Sequence, residues 1–217
     1  MQMYEDIFEI SLMLDTEELL DQLAEECMEL SLAAYENFEM EMGTRQNDCN
    51  TKLKTTKDKL EEETADVGLV WTVLKERLTL SDTEIAYCSR IIDQAEEDGL
   101  HENIFAIQEK LKTKPLVIGK MAMKLRRART KKNPTPITAA SARLDLIFAM
   151  SKLRGTLNAL ARKYGFENIR NIEEEKAARW LKRLKDAAEQ PEEGQKGETG
   201  GMGNEGVYED RPEFLGK

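Results

Sequence analysis

The chain has 217 residues, of which 34% are charged and 40% hydrophobic, a composition of the ordinary water-facing globular kind. A single His excludes a His-based zinc site or a His cluster, and three Cys (Cys27, Cys49, Cys88) without a CxxC pair speak for reduced thiols over a disulfide framework. No apolar run reaches the roughly 20 residues of a membrane span, and the acidic start does not read as a signal peptide. Few aromatics and five Pro argue against a β-sandwich, which leaves an expectation of a cytoplasmic, all-α protein.

In chain order, Asp15 and Glu18 have capping-box spacing, and a helix is expected from about 16 to 42, stopped by Gly43. A polar linker (TRQNDCNTK) leads to a second long helix over roughly 53–79. Ser81-Asp82 then caps a helix over 83–97, and shorter helices follow at 102–111 and 116–131, with Pro115 at the break. Asn133-Pro134-Thr135-Pro136 reads as a loop, Thr138 caps a helix that ends at Gly165, and the last helix runs from Asn171 to about Ala188. His101 falls in a polar loop in this reading. The tail, residues 189–217, holds seven of the thirteen Gly and little that can be buried, so it is expected to be disordered.

Charge divides the chain into blocks. Residues 1–111 carry 9 Lys+Arg against 28 Asp+Glu, whereas residues 112–188 carry 20 against 6. Such blocks attract one another, share a ligand that needs both signs, or form separate solvated faces. Nucleic acid is not the expected partner, because the basic block lacks interleaved aromatics or a reading motif.

The helix over 16–42 holds nine acids and no Lys or Arg. Glu25, Glu26 and Glu29 share about 100° of its arc, opposite the stripe Leu20, Leu23, Cys27, Leu30, Ala34. The next helix carries Glu61, Glu62, Glu63 and Asp66 directly before the apolar run from Val67 to Leu74. Glu26 with Glu29, and Glu63 with Asp66, are pairs three residues apart on one helix face. Two such helices packed antiparallel would gather four carboxylates, which must then shift their pKa values or bind a hard cation; an exposed acidic face is the alternative.

These motifs, EExxE (Glu25-Glu26-Cys27-Met28-Glu29) followed by ExxD (Glu63-Thr64-Ala65-Asp66), resemble the signature of the MazG-like all-α nucleoside triphosphate pyrophosphohydrolases. The apolar context agrees, while the gap of 33 residues between the motifs is longer than usual in that family. The resemblance implies a MazG-like helical bundle and Mg2+-dependent cleavage of a (d)NTP to (d)NMP and pyrophosphate, Mn2+ being a substitute. It implies Glu26, Glu29, Glu63 and Asp66 as metal ligands. Glu25 or Glu62 would support them or orient the attacking water. A phosphoribosyl-ATP pyrophosphohydrolase-like enzyme is a second reading, and a helical interaction module or nucleotide-holding pseudoenzyme a third.

A degenerate second copy is also legible. An offset of 93 lays Leu116–Leu125 over Leu23–Leu32, and an offset of 84 lays Leu144–Leu157 over Leu60–Val73. Ile118, Gly119, Ala122, Ile147 and Met150 then stand where the first copy has acids. The resulting division is a metal-bearing repeat at 1–111, a basic helical region and degenerate repeat at 112–188, and the tail. As a tandem pseudo-dimer, the second copy would offer Lys120, Lys124, Lys176, Arg179 and Arg183 to the triphosphate, and the assembly would be a monomer or a homodimer. Two unrelated helical hairpins are the alternative. Trp71 reads as core, and Trp180 as either core or a platform for a base. Gly119 and Gly155, inside helical patterns, read as points of close helix contact.

Overall fold

A computed structural model describes residues 2–43, 55–130 and 137–189. Among these residues the chain forms eight α-helices and no strand: α1 (Gln2–Met13), α2 (Thr16–Glu41), α3 (Thr56–Leu78), α4 (Asp82–His101), α5 (Ile104–Leu111), α6 (Lys114–Thr130), α7 (Ala139–Tyr164) and α8 (Ile169–Glu189). The linker after Gly43, the Asn133-Pro134-Thr135-Pro136 loop and the tail from residue 190 lie outside the described residues. The all-α expectation holds.

Capping chemistry sets most boundaries. The Asp15 carboxylate accepts from the Glu18 N–H at 2.7 Å, and the Glu18 carboxylate accepts from the Asp15 N–H at 2.7 Å, closing the box that starts α2. Thr55 with Asp58 and Ser81 with Glu84 repeat the device at α3 and α4. Gly43 (φ +69°) and Gly165 (φ +65°) end α2 and α7 in the left-handed region that glycine tolerates.

Two boundaries and one helix depart from the sequence reading. α4 continues through Gly99 to His101, so His101 belongs to its exposed last turn and not to a loop. Packing explains the extension: a Cβ on Gly99 would sit 2.7 Å from that of Ala159, so this glycine serves a helix contact and does not break the helix. α6 starts at Lys114 and takes Pro115 into its first turn, where the missing N–H costs no helical hydrogen bond. α1 was not singled out because its apolar residues surround it: Ile7 and Ile10 are buried, while Tyr4, Phe8 and Leu12 face outward.

α2 is the centre of the molecule. It buries Leu19, Leu20, Leu23, Cys27, Leu30, Ala33 and Ala34 against α3 on one side and α6 on another. Ion pairs fix both directions. Lys59 reaches Glu36 at 3.0 Å, so α3 runs antiparallel to α2, and Arg126–Asp21 (3.1 Å) and Arg129–Glu17 (2.8 Å) set α6 antiparallel as well. The Tyr164 hydroxyl accepts from the Asn37 and Gln108 amides and donates to Glu41, tying the end of α2 to α5 and α7.

The remaining long helices cross between the halves. α4 lies along α7 in a parallel sense, held by Arg143–Glu84 (2.6 Å) near their starts and Lys163 Nζ on the Leu100 carbonyl (2.8 Å) near their ends. α8 lies along α3, also parallel, with the Asn168 N–H on Glu61 (2.7 Å) near their starts and Glu173 over Gly68 further along both. The two oppositely charged blocks therefore pair with each other across these interfaces.

Candidate metal centre and cleft

The antiparallel pairing of α2 and α3 brings the two acidic motifs face to face. Apolar stripes dictate this: Leu23, Cys27 and Leu30 on α2 and Leu60, Val67 and Leu74 on α3 are buried, and the acids lie at the margin of that seam. One carboxylate oxygen each from Glu26, Glu29 and Glu63 lies within 4.8 Å of the others. Oxygens around Mg2+ at about 2.1 Å stand roughly 3–4 Å apart, so the trio needs only a small inward movement to share an ion. Glu63 is 8% exposed, and its Oε2 is buried without a hydrogen-bond partner. An orphaned buried carboxylate oxygen costs free energy that a cation recovers. The donor set is all oxygen, which suits a hard divalent ion.

Electrostatics agree. Burial pushes the Glu26 carboxyl up to about 7; the hydrogen bond from Gln22 (2.7 Å) opposes the rise, and the charges of Asp66 and Glu29 add to it. Burial likewise pushes Glu63 up to about 7, reinforced by Asp66, Glu29 and Glu26. Near neutral pH this cluster holds protons that a divalent cation can replace.

Asp66 lies beside the trio but is held differently. Lys176 of α8 donates to its Oδ2 and also lies 3.1 Å from Glu62. These acids and α8 form the walls of a cleft of about 940 Å3, at the upper end of the roughly 300–1,000 Å3 typical of ligand sites. Glu26, Glu29, Glu62 and Asp66 line one side; Lys176, Arg179, Lys182 and Arg183 line the other. Leu69, Val70, Trp180 and Leu184 add apolar lining, and Asp186 of α8 adds an acid to the basic wall.

The sequence-predicted residues thus divide. Glu26, Glu29, Glu62, Glu63, Asp66, Lys176, Arg179 and Arg183 converge on one place. Glu25 is exposed and is not part of the lining. Lys120 and Lys124 are also exposed and outside the lining. The reason is angular: Gly119 of α6 rests on Ala24, with an added Cβ 3.3 Å from its carbonyl, and Ala24 lies about 200° around α2 from Glu26. The basic half therefore reaches the acids through α8 and not through α6.

Sequence reasoning missed Gln22 and Lys182. Gln22 stands four residues before Glu26, one turn back on the same face, and that spacing was a usable signal. Glu61 proves to be an anchor: buried, it accepts from the Asn168 N–H and fixes the start of α8 on α3. Trp71 is buried, as expected, whereas Trp180 is half-buried on the cleft wall. Burial and the neighbouring Glu26 charge push the Cys27 thiol up to about 12, so it packs as an inert core residue. No helix among the described residues is long and apolar enough to cross a membrane. No family model, no curated protein and no solved structure matches the chain.

Proposed function

We propose that the chain is a Mg2+-dependent nucleotide pyrophosphohydrolase of the MazG-like kind, adding water across the α–β phosphoanhydride of a (d)NTP to release (d)NMP and pyrophosphate. The observation that carries this reading is the gathering of Glu63, with its orphaned oxygen, beside Glu26 and Glu29, which line a cleft opposite a row of α8 cations. Few ligands need both signs at such short range, and a metal–triphosphate does.

Each wall has a role in this reading. Glu26, Glu29, Glu63 and, once released from Lys176, Asp66 hold the metal. When bound, Mg2+ neutralises phosphate charge and lowers the pKa of a water. Gln22 fixes the orientation of Glu26. Glu62 lines the cleft without belonging to the trio, a place from which a carboxylate can orient the attacking water. Arg179 and Arg183, one turn apart on α8, grip phosphate oxygens in the bidentate way that guanidinium allows. Trp180, Leu69 and Val70 offer an apolar surface for the base.

The crossed helices support the tandem reading. α8 runs parallel to α3 as α4 runs parallel to α7, the pattern left when two three-helix copies exchange their last helices. The candidate site then needs one chain alone, and its partner is a cytoplasmic nucleoside triphosphate.

The test is pyrophosphate release from a panel of dNTPs and NTPs with Mg2+, for the wild type, Glu26→Gln and Asp66→Asn. Activity on at least one nucleotide, reduced about a hundredfold or more in both variants with helicity unchanged, is expected. A panel silent throughout, with no saturable metal binding, leaves a helical binding module.

A further inference from the structure

Lys176 has a place that the substrate-binding role alone does not explain. Its ammonium does not point along the cleft toward Arg179 and Arg183 but rests on α3, donating to Asp66 and lying 3.1 Å from Glu62. Its side chain is 20% exposed, and those of Asp66 and Glu62 are 15% and 28% exposed, so the pair is only partly screened by water. Lys176 also acts on Glu26 and Glu63, lowering the proton affinity of both. One ammonium therefore lies within electrostatic reach of Glu26 and Glu63 while holding the carboxylate next to them.

The backbone that carries Lys176 is fixed. Ala177 and Leu181 are buried, the Asn168 N–H is bonded to Glu61, and Glu173 meets Arg154 at 3.5 Å over Gly68, where a Cβ would come within 2.5 Å of both side chains. The helix does not need to move, because the ammonium sits on a flexible four-carbon stem and can pivot. Residues 176, 179 and 183 share one face of α8, so an ammonium that leaves Asp66 pivots into the row where a polyphosphate would lie.

We propose that Lys176 is a placeholder cation: it occupies Asp66 in the metal-free protein, opposes loading by a bare divalent ion, and transfers to phosphate when metal and triphosphate arrive together. This rests on the metal-centre reading above. A bare divalent ion that recruits Asp66 takes that partner from the ammonium and leaves it on Glu62 alone, beside a like charge. A metal–polyphosphate supplies the anion to which the ammonium moves, so the same side chain resists the first ligand and favours the second.

The opposite signs make the proposal testable by calorimetry on the full chain, without turnover. Mn2+ alone and Mn2+ with inorganic tripolyphosphate are titrated into the wild type, Lys176→Met and Glu26→Gln. Lys176→Met is expected to bind Mn2+ alone about tenfold more tightly and Mn2+-tripolyphosphate about tenfold more weakly, the scale of one charge-assisted contact. Lys176→Gln repeats the measurement with a polar side chain, should the Met variant fail to fold. Unchanged or weaker Mn2+ binding in the Lys176 variants, with loss in Glu26→Gln, overturns the placeholder and leaves the metal centre standing. Tighter binding of both ligands makes Lys176 a mere competitor and overturns the transfer. No Mn2+ binding in any protein overturns the metal centre itself, and the placeholder with it.

Discussion

Glu63 and Glu26 show how single carboxyls are set by where the chain puts them. Both have folded-state pKa values raised to about 7 by burial and by each other's neighbours, against ordinary values near 4.5. The folded protein thus binds more protons than the unfolded chain between about pH 4.5 and 7, and stability from this pair is present below that window and falls as pH rises through it. In EDTA, the melting temperature should therefore fall from pH 5 to pH 8, and Glu63→Gln should flatten the slope. A melting temperature that climbs over that interval in the wild type, with the same slope in the variant, contradicts the burial argument. Saturating Mg2+ should remove most of the loss at pH 8, because an ion bound only to the folded state stabilises it. Glu84 behaves oppositely: hydrogen bonds from Arg143 and from Ser81 hold its carboxyl down to about 2, so it stays charged throughout this window. The acids of EExxE and ExxD were legible as a cluster because their spacing places them on facing helix margins. The placement of Lys176 on Asp66 was not, since a basic residue 110 positions away reveals its partner only when α8 is seen to lie along α3.

At the scale of elements, small residues decide how closely the helices approach. Gly119 and Gly155 read from the sequence as contact glycines, and both are. The structure separates them by degree. A Cβ at Gly155 would lie 2.3 Å from the Ile92 carbonyl and 2.9 Å from the Glu96 amide, both backbone atoms of α4, whereas a Cβ at Gly119 meets Ala24 at 3.3 Å. Gly155→Ala is expected to cost about 2–4 kcal/mol by forcing α4 from α7, offset little by the helix propensity gained, and Gly119→Ala to fall within about 1 kcal/mol of wild type. Chemical denaturation of the two variants checks this; equal stabilities would contradict the packing account. The helix starts were legible because Asp15, Ser81 and Thr138 cap by local chemistry. The end of α3 was also legible to within one residue, from the Ser81-Asp82 cap that follows it, but the way it closes was not. Thr79 stands there at φ +48°, a conformation that usually asks for Gly, and Arg143 of α7 donates to the carbonyls of Leu78 and Thr79 to close the helix. A cap supplied from 64 residues away leaves no mark on the local sequence.

Over the whole molecule, the charge asymmetry has a geometric expression. The acidic half presents α2 and α3, and the basic half returns α8 to lie along α3. Arg126 and Arg129 pair with the start of α2, Lys185 with Glu9 of α1 (2.5 Å), and α8 lines the cleft. The sequence showed that two blocks of opposite sign exist and that one holds a carboxylate cluster. It did not show which basic helix faces that cluster, because α6 and α8 carry six Lys or Arg each and only packing on Ala24 turns α6 away.

The proposed pyrophosphohydrolase site joins the cluster of Glu26, Glu29 and Glu63 to the α8 cations. The most direct measurement is phosphorus NMR of the products formed from a dNTP accepted in the panel, with Mg2+, by the wild type and by Glu63→Gln. Monophosphate and pyrophosphate in equal amounts are expected from the wild type, and neither from the variant. Diphosphate with orthophosphate, or the same turnover in both proteins, would contradict the proposed site.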